Sequence, residues 1–321
     1  MARNHGGTQA VRPGDLRMAD WKAVGQRVQG QVNRDNLSVV SAGVAFYAFF
    51  ALFPALAAMV AIYGLVADPA DVQRLIQQGQ GVMPGAVTGI LSGQLRQLAG
   101  QGGSQLGMGV AIGTLVALWS ATKGTKALMA GLNIANREEE KRGIIRMNAE
   151  ALLLTLGVIV AVLVAIALVV AAPAVLGSLP LPALLRTLIA WLRWPVLGVL
   201  MVLGLAVLYR YAPSRRAARW RWLSYGAVLA TVLWLIASGL FSWYVANFGS
   251  YNETFGSMAA IAILLMWFFL SAYVILLGAE LNSEMEHHTE RDTTQGPDRP
   301  PGRRGAVMAD SVADSGHPER S

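Results

Sequence analysis

The residue types that carry most chemistry are scarce in this chain. It has no cysteine, and its four histidines, His5, His287, His288 and His317, all lie in polar terminal segments. Disulfides, thiolate metal sites and cysteine nucleophiles are excluded together. No histidine stands where it would relay a proton through an apolar run. His287 and His288, with Glu284, Glu286 and Glu290 nearby, have the types for a weak metal site, but a solvated helix end is the expected reading. No metal and no cofactor are expected.

Ionisable residues beside the apolar runs are few. Glu280 closes the last run, Lys123 ends the second and Glu150 begins the third. One reading is an interfacial ion pair between Glu280 and Lys123, with Glu150 on the same side. The other is simple snorkelling to the interface. Arg193 lies between Trp191 and Trp194 and follows Arg186 by seven residues, which puts both arginines on one helix face. A guanidinium there suits a lipid phosphate or another anion. The alternative is an aromatic belt with a snorkelling arginine. Tyr251, Phe255 and Ser257 gather in the stretch YNETFGSMAA and are candidate substrate or lipid contacts with Arg193. In the same stretch Asn252 or Thr254 is suited to cap a helix, and Glu253 to sit at its positive end. Hydroxyl residues Ser41, Tyr47, Thr114, Ser120, Ser238, Ser242, Ser257 and Ser271 are either a translocation groove or ordinary helix-packing contacts.

The elements that must position these residues are membrane spans. The chain of 321 residues is 54% hydrophobic and 14% charged, against about 25% charged in a soluble domain. Its mean hydropathy is +0.45. Several apolar runs exceed the roughly 18 residues that read as a span. The fold class is thus all-α and integral to a membrane. Six transmembrane helices are expected, at about Val39–Ala67, Leu106–Ala121, Ala151–Ala172, Leu184–Tyr209, Leu223–Ala246 and Phe255–Ala279. Pro54 and Pro195 are expected to kink the first and fourth. They open two three-helix halves, an arrangement found in inverted repeats, although the halves share no visible sequence similarity.

Charge placement agrees with six spans. All but four of the 26 lysines and arginines fall in the two terminal segments, the second-to-third connection and the fourth-to-fifth connection. The exceptions are Arg74, Arg96, Arg186 and Arg193. The positive-inside rule then places both termini in the cytoplasm. The net charge of +7 is explained by this topology, and no nucleic-acid partner is expected. Membrane lipids are the expected partners, with envelope proteins as a further class.

Three domains follow. Residues 1–37 form a polar cytoplasmic segment, too long before the first apolar run to be a cleaved signal. Within it Trp21, Val24, Val28 and Val32 recur at helical spacing and suggest an amphipathic helix on the inner membrane surface. Residues 38–286 hold the spans. Residues 287–321 are rich in Pro, Gly, Asp, Ser and Arg and are expected to be disordered. The long outer connection, Asp68 to Gln105, carries a helix-start signal at Asp68 and Pro69 and glycines at 81, 85, 89 and 93. One or two amphipathic helices are expected there, as a packed cap or as a lid.

Three stretches carry a family likeness: AGVAFYAFFALFPALAAM, VALWSATKGTKALMAGLNIAN and YNETFGSMAAIAILLMWFFLSAYVILLGAELNSE. Together they resemble the YihY/BrkB family of bacterial inner-membrane proteins, over roughly Asn36 to Glu286. The last stretch is the most specific, with its Tyr-Asn-x-Thr-x-Gly-Ser start, Trp267 and its Leu-Gly-Ala-Glu-Leu-Asn end. Ala51 stands where similar sequences often have serine. The resemblance implies a six-helix inner-membrane protein. Some members bear a ribonuclease label, and one was linked to resistance to serum killing. A ribonuclease needs a metal site or an acid–base pair near a basic groove. Neither is legible here, so no enzymatic activity is expected. Transport of a lipid or amphipathic anion is the expected function, with a non-catalytic scaffold for envelope assembly as the alternative.

Overall fold

A computed structural model describes residues 10, 12–66, 103–171, 182–247 and 257–313. These residues form seven long or medium α-helices and one short one, besides a 3-10 turn at Pro13–Asp15. Helix α1 is Met18–Arg34, α2 Leu37–Val66 and α3 Gly103–Ala135. Helix α4 is Ile144–Ile166, continued by a π-helical turn at Ala167–Ala171. Then come α5 Ala183–Tyr211, α6 Trp220–Asn247, α7 Ser257–His288 and the four-residue α8 Val307–Asp310. Apart from an isolated antiparallel bridge between Ala218 and Thr294, the described residues are helix, turn and irregular chain.

Five of these helices are long and apolar enough to cross a membrane: Leu37–Pro54, Ile144–Val169, Leu184–Tyr211, Trp220–Val245 and Ala259–His288. Only 6% of Ile144–Val169 and of Leu184–Tyr211 is buried against protein. Leu153, Leu188, Trp191 and Leu192 are each more than half exposed. Such apolar surface is untenable in water but matches hydrocarbon, and a helix satisfies its own backbone polar groups there. The chain is an all-α membrane protein. Helix α3 is a sixth long helix, with glycine, serine, threonine and lysine among its apolar residues. Pro54 and Pro195 lie inside continuous helices. The segment Asp68–Gln105 is described only from Gly103, so the expected cap helices lie outside the described residues.

The chain divides into two compact units. The first comprises Met1–Val40, Met129–Leu235 and Tyr273–Ser321; the second comprises Ser41–Leu128 and Ile236–Ala272. In the second unit an aromatic ladder runs along α2, with Phe49–Phe50 and Phe49–Phe53 packed edge to face at 5.7 and 5.1 Å. Gly124 of α3 brings its backbone against Ala48 of α2, where an added Cβ would sit at 3.6 Å.

In the first unit α6 and α7 cross at two glycines. A Cβ on Gly278 would lie 2.7 Å from the Gly226 carbonyl oxygen, and one on Gly226 would lie 2.5 Å from Asn282 Nδ2. Real side chains do not fit at such distances, so both positions require glycine. Asn282 then clamps the crossing: its Oδ1 accepts from Gly226 N at 2.8 Å, and its Nδ2 donates to Leu223 O at 3.3 Å. Tyr209 of α5 donates to Ile275 O at 2.8 Å. The Leu-Gly-Ala-Glu-Leu-Asn stretch is thus a helix-crossing device built on Gly278 and Asn282.

Helix α1 packs on protein, where the sequence suggested a membrane surface. Val24, Trp222, Met285, Leu16 and Ala10 form one buried cluster, with Trp21 and Val28 against it. The apolar stripe is as expected; its partner is the end of α7 and the start of α6. The C-terminal segment also departs from expectation. Residues 289–313 are packed, with Thr289, Thr293 and Thr294 fully buried and Met308 and Ala309 at 1% and 0% exposure. Hydrogen bonding takes the place of apolar area in this segment. Arg304, 3% exposed, donates to the carbonyls of Arg299, Arg291, Ala309 and Glu290. Gln295 N donates to Ala217 O, and Arg219 N to Thr293 O, both at 2.9 Å. Composition alone missed this, because arginine and threonine are polar only until their donors are satisfied.

Candidate functional site

The polar chemistry of the described residues concentrates in the first unit, where the ends of α1, α3, α5 and α7 and the starts of α4 and α6 belong together. Two adjoining arrangements are built there.

The first is a buried ionic network on the last turns of α7. Glu286 accepts a bidentate pair from Arg215, at 3.0 and 2.6 Å, with side-chain exposures of 0% and 1%. Thr293 of the C-terminal segment adds a third bond to Glu286 at 3.0 Å. Glu284 accepts from Arg27 Nε at 2.8 Å and lies 3.8 Å from Arg137 Nη2 and 3.7 Å from His287 Nδ1. His288 Nδ1 is 3.2 Å from Arg27 Nη2, and its Nε2 is 3.3 Å from Asp20 Oδ1. The two histidines, His288 buried and His287 half-buried, are therefore members of a network, not a solvated helix end. Burial works against the charge of Arg215, but Glu286 outweighs it and holds the guanidinium above its ordinary pKa. A buried ion pair such as Arg215–Glu286 is costly to break at one partner.

The second arrangement is a cavity of about 900 Å3. Its cations are Lys141, Arg142, Arg146, Arg210, Arg215 and Arg216. Glu150 is its acid, and Leu153, Leu154 and Val207 give it an apolar wall. Gly143 caps α4 without a side chain, and Pro213 and Ser214 end the α5 exit. Besides Arg215, which pairs with Glu286, two of the cations are committed to carboxylates at short range. Arg142 donates to Glu140 Oε1 and Oε2, each at 2.7 Å, and to Glu150 Oε2 at 2.5 Å. Arg146 donates to Glu150 Oε1 at 2.7 Å. Bonds from Arg142 pull the Glu140 carboxyl down to about 2, against a smaller opposing effect of burial. Behind the cavity, burial pushes the Asp292 carboxyl up, but bonds from Thr294 and Arg299 outweigh it and leave it below the carboxylate range.

The other arginines are less fully used. Arg210, 6% exposed, gives its two terminal nitrogens to neutral acceptors, Ala218 O and Gln295 Oε1. Its guanidinium also stands over Trp220 and Tyr211, at 4.7 and 5.5 Å from the ring centroids. Buried nitrogens without a hydrogen-bond partner remain on three lining residues: Arg210 Nε, Arg215 Nε and Arg216 Nη1. A buried donor without an acceptor costs about 1–3 kcal/mol. Three of them around one cavity make it a place where an anion is favoured.

The residues singled out from the sequence are dispersed. Glu150 is in the cavity wall, paired with two arginines. Glu280 is 1% exposed in the first unit, and its Oε1 lacks a hydrogen-bond partner. Lys123 belongs to the second unit and stands over Trp119, 4.1 Å from the ring centroid. Arg193 is partly exposed, 5.2 Å from the Trp194 ring centroid, beside Trp191 at 70% exposure. Tyr251 and Phe255 lie outside the described residues, and Ser257 is described only as the first residue of α7. Of the hydroxyl residues, Ser41 is fully buried and Tyr47 is 46% exposed. Arg210, Arg215 and Arg216 entered the sequence reading only as topology charges. Their signal was density: the stretch RYAPSRRAARWRW has more arginines than an orientation rule needs.

A bundle of apolar helices with an ionic network at the ends of its helices defines a multi-pass membrane protein. Residues 28–303 match the family model described as "Virulence factor BrkB", and the chain belongs to that family. Similar proteins include the ribonuclease-like protein YfkH of Bacillus subtilis, 36% identical over 54% of this chain and 64% of that protein. UPF0761 membrane proteins are also similar. That of Tolumonas auensis is 38% identical over 26% of this chain and 27% of its own length. IL2447 of Idiomarina loihiensis is 31% identical over 31% of this chain and 34% of its own. The chain thus spans less than two thirds of the length of these relatives. No solved structure matches.

Proposed function

We propose that this protein translocates a lipid or another amphipathic anion across the bacterial inner membrane, without enzymatic chemistry, and that both termini face the cytoplasm. One observation carries the reading: the cavity joins cations with unused donors to an apolar wall at the ends of membrane-length helices. That combination suits a ligand with an anionic head and a hydrocarbon tail. The ribonuclease-like wording attached to the Bacillus relative is the competing idea. Among the described residues, no group of three or more His, Asp or Glu is placed to hold a metal ion. A scaffold for envelope assembly is the second reading, favoured by the way both terminal segments are tied to α7, through Arg27 and Thr293, and the α5–α6 connection through Arg215.

The test is a translocation assay with purified protein in liposomes carrying a fluorescent phospholipid. Wild type is compared with Arg193→Ala and Glu280→Gln. Movement above empty liposomes, reduced in either variant, supports transport. Folded protein with no movement transfers the weight to the scaffold.

A further inference from the structure

We infer that the cavity between the start of α4 and the end of α5 is a binding site for the phosphate of an anionic phospholipid, with Arg210 as its central contact. The inference deepens the proposed function and rests on it for the side of the membrane that supplies the lipid.

Three features specify the ligand. The first is charge. Lys141, Arg142, Arg146, Arg210, Arg215 and Arg216 line the cavity against a single lining carboxylate, Glu150. The nearby acids Glu138, Glu140, Glu286 and Asp292 pair with Lys141, Arg142, Arg215 and Arg216. Arg210 has only neutral oxygen acceptors among its hydrogen-bond partners. Among the cations lining the cavity it is the one without a carboxylate partner. The second is donor geometry. Unused guanidinium nitrogens on Arg210, Arg215 and Arg216 belong to one cavity, and a phosphate offers several acceptor oxygens to such a cluster. A carboxylate would leave part of that capacity unmet.

The third feature is the wall. Leu153 and Val207 line the cavity and are 68% and 39% exposed, on helices that are almost unburied along their length. In a bilayer those faces meet acyl chains. The cavity therefore opens both to hydrocarbon and to the polar ends of the helices. Lys141 and Arg146, with side chains 65% and 75% exposed, are the solvent-facing cations of the lining, paired with Glu138 and Glu150. A soluble phosphate compound would use the cations but not the wall. A phospholipid uses both, with its head among the arginines and a chain along Leu153, Leu154 and Val207.

The experiment is native mass spectrometry of the detergent-solubilised full chain, titrated with phosphatidylglycerol, phosphatidylcholine or inorganic phosphate. Phosphatidylglycerol is expected to bind at least tenfold more tightly than phosphatidylcholine, and millimolar phosphate to leave it in place. Arg210→Gln is expected to weaken phosphatidylglycerol at least tenfold. Arg34→Gln, which removes a charge outside the cavity, is expected to change it less than twofold. If Arg210→Gln does not fold, the exposed pair Lys141→Gln/Arg146→Gln decides, with an expected loss of about threefold or more. Equal affinity for the two lipids, or no loss in the variants, overturns the inference. Displacement by millimolar phosphate overturns the lipid assignment in favour of a soluble phosphate. Binding without translocation counts against the transport reading alone. Translocation with unselective binding counts against this site alone.

Discussion

Arg193 and Arg210 sit on the same helix, each beside aromatic rings, and each keeps an Nε without a hydrogen-bond partner. Their sequence settings, WLRWP and LYRYAP, look alike. Their surroundings do not. Arg193 is partly exposed between tryptophans that are themselves 70% and 54% exposed. Arg210 is 6% exposed, walled by Trp220, by Ala218 and by Gln295 of the C-terminal segment. The first stands beside Trp194 with part of its surface open. The second is held in one place by groups from distant parts of the chain. A fixed, desolvated guanidinium discriminates among anions; a mobile, solvated one mainly attracts them.

The sharpest way to break this contrast is to remove what fixes the Arg210 end. Glu286→Gln leaves Arg215 buried beside a neutral amide. Breaking one side of such a pair is expected to cost about 3–5 kcal/mol, read as a large fall in the thermal midpoint of the detergent-solubilised protein. Replacing both partners, as Arg215→Leu/Glu286→Leu, is expected to cost less than the sum of the single losses. Additive losses would show that the pair contributes nothing as a pair.

A somewhat smaller effect is expected at the helix crossing. Gly278→Ala places a Cβ against the Gly226 carbonyl and Ala230 Cβ. Overpacking of this kind costs about 1–3 kcal/mol. Gly198→Ala, where an added Cβ meets nothing within 4 Å, is the control and should not destabilise. Equal midpoints for the two variants would contradict the crossing.

Function separates the two arginines next. Arg193→Ala is expected to slow translocation severalfold while leaving phosphatidylglycerol binding within twofold of wild type. Arg210→Gln is expected to lower both. If Arg193→Ala abolished binding as completely as Arg210→Gln, the difference between belt and pocket would carry no functional meaning.

The smallest effect concerns pH. The Glu140 carboxyl is depressed from an ordinary 4.5 to about 2, chiefly by its bonds from Arg142. Its contribution to stability is present above the unfolded value and lost as pH falls through the folded one. The midpoint gap between wild type and Glu140→Gln should be constant above pH 4.5 and shrink between 4.5 and about 2. Glu140 is 30% exposed, so the gap itself should be about 1 kcal/mol or less. A gap that grew on acidification would place the group's pKa on the wrong side.

Much of the fold was legible. Five of the expected spans coincide with helices long and apolar enough to cross a membrane, because long apolar runs have few alternatives there. Ends were less legible. Helix α3 extends to Ala135 and α7 to His288, beyond their apolar cores, because polar turns there are bonded rather than solvated. The disordered reading of residues 289–313 failed for the same reason. Thr293, Asp292 and Arg304 are buried only because Glu286, Thr294 and backbone carbonyls satisfy them. Of the candidate site residues among those described, Glu150 alone lines the cavity.

The sequence by itself determined the solvent. Hydropathy, charge placement and the absence of cysteine are local or additive properties, and they were enough for an all-α membrane protein with its charge gathered at helix ends. Tertiary structure decided which charges are paired, because pairing joins residues far apart in the chain. Arg27 meets Glu284, Arg215 meets Glu286 and Arg210 meets Gln295. A count of arginines cannot separate those already neutralised from a cavity arginine still without an anion; the packing of the C-terminal segment against the α5–α6 connection does.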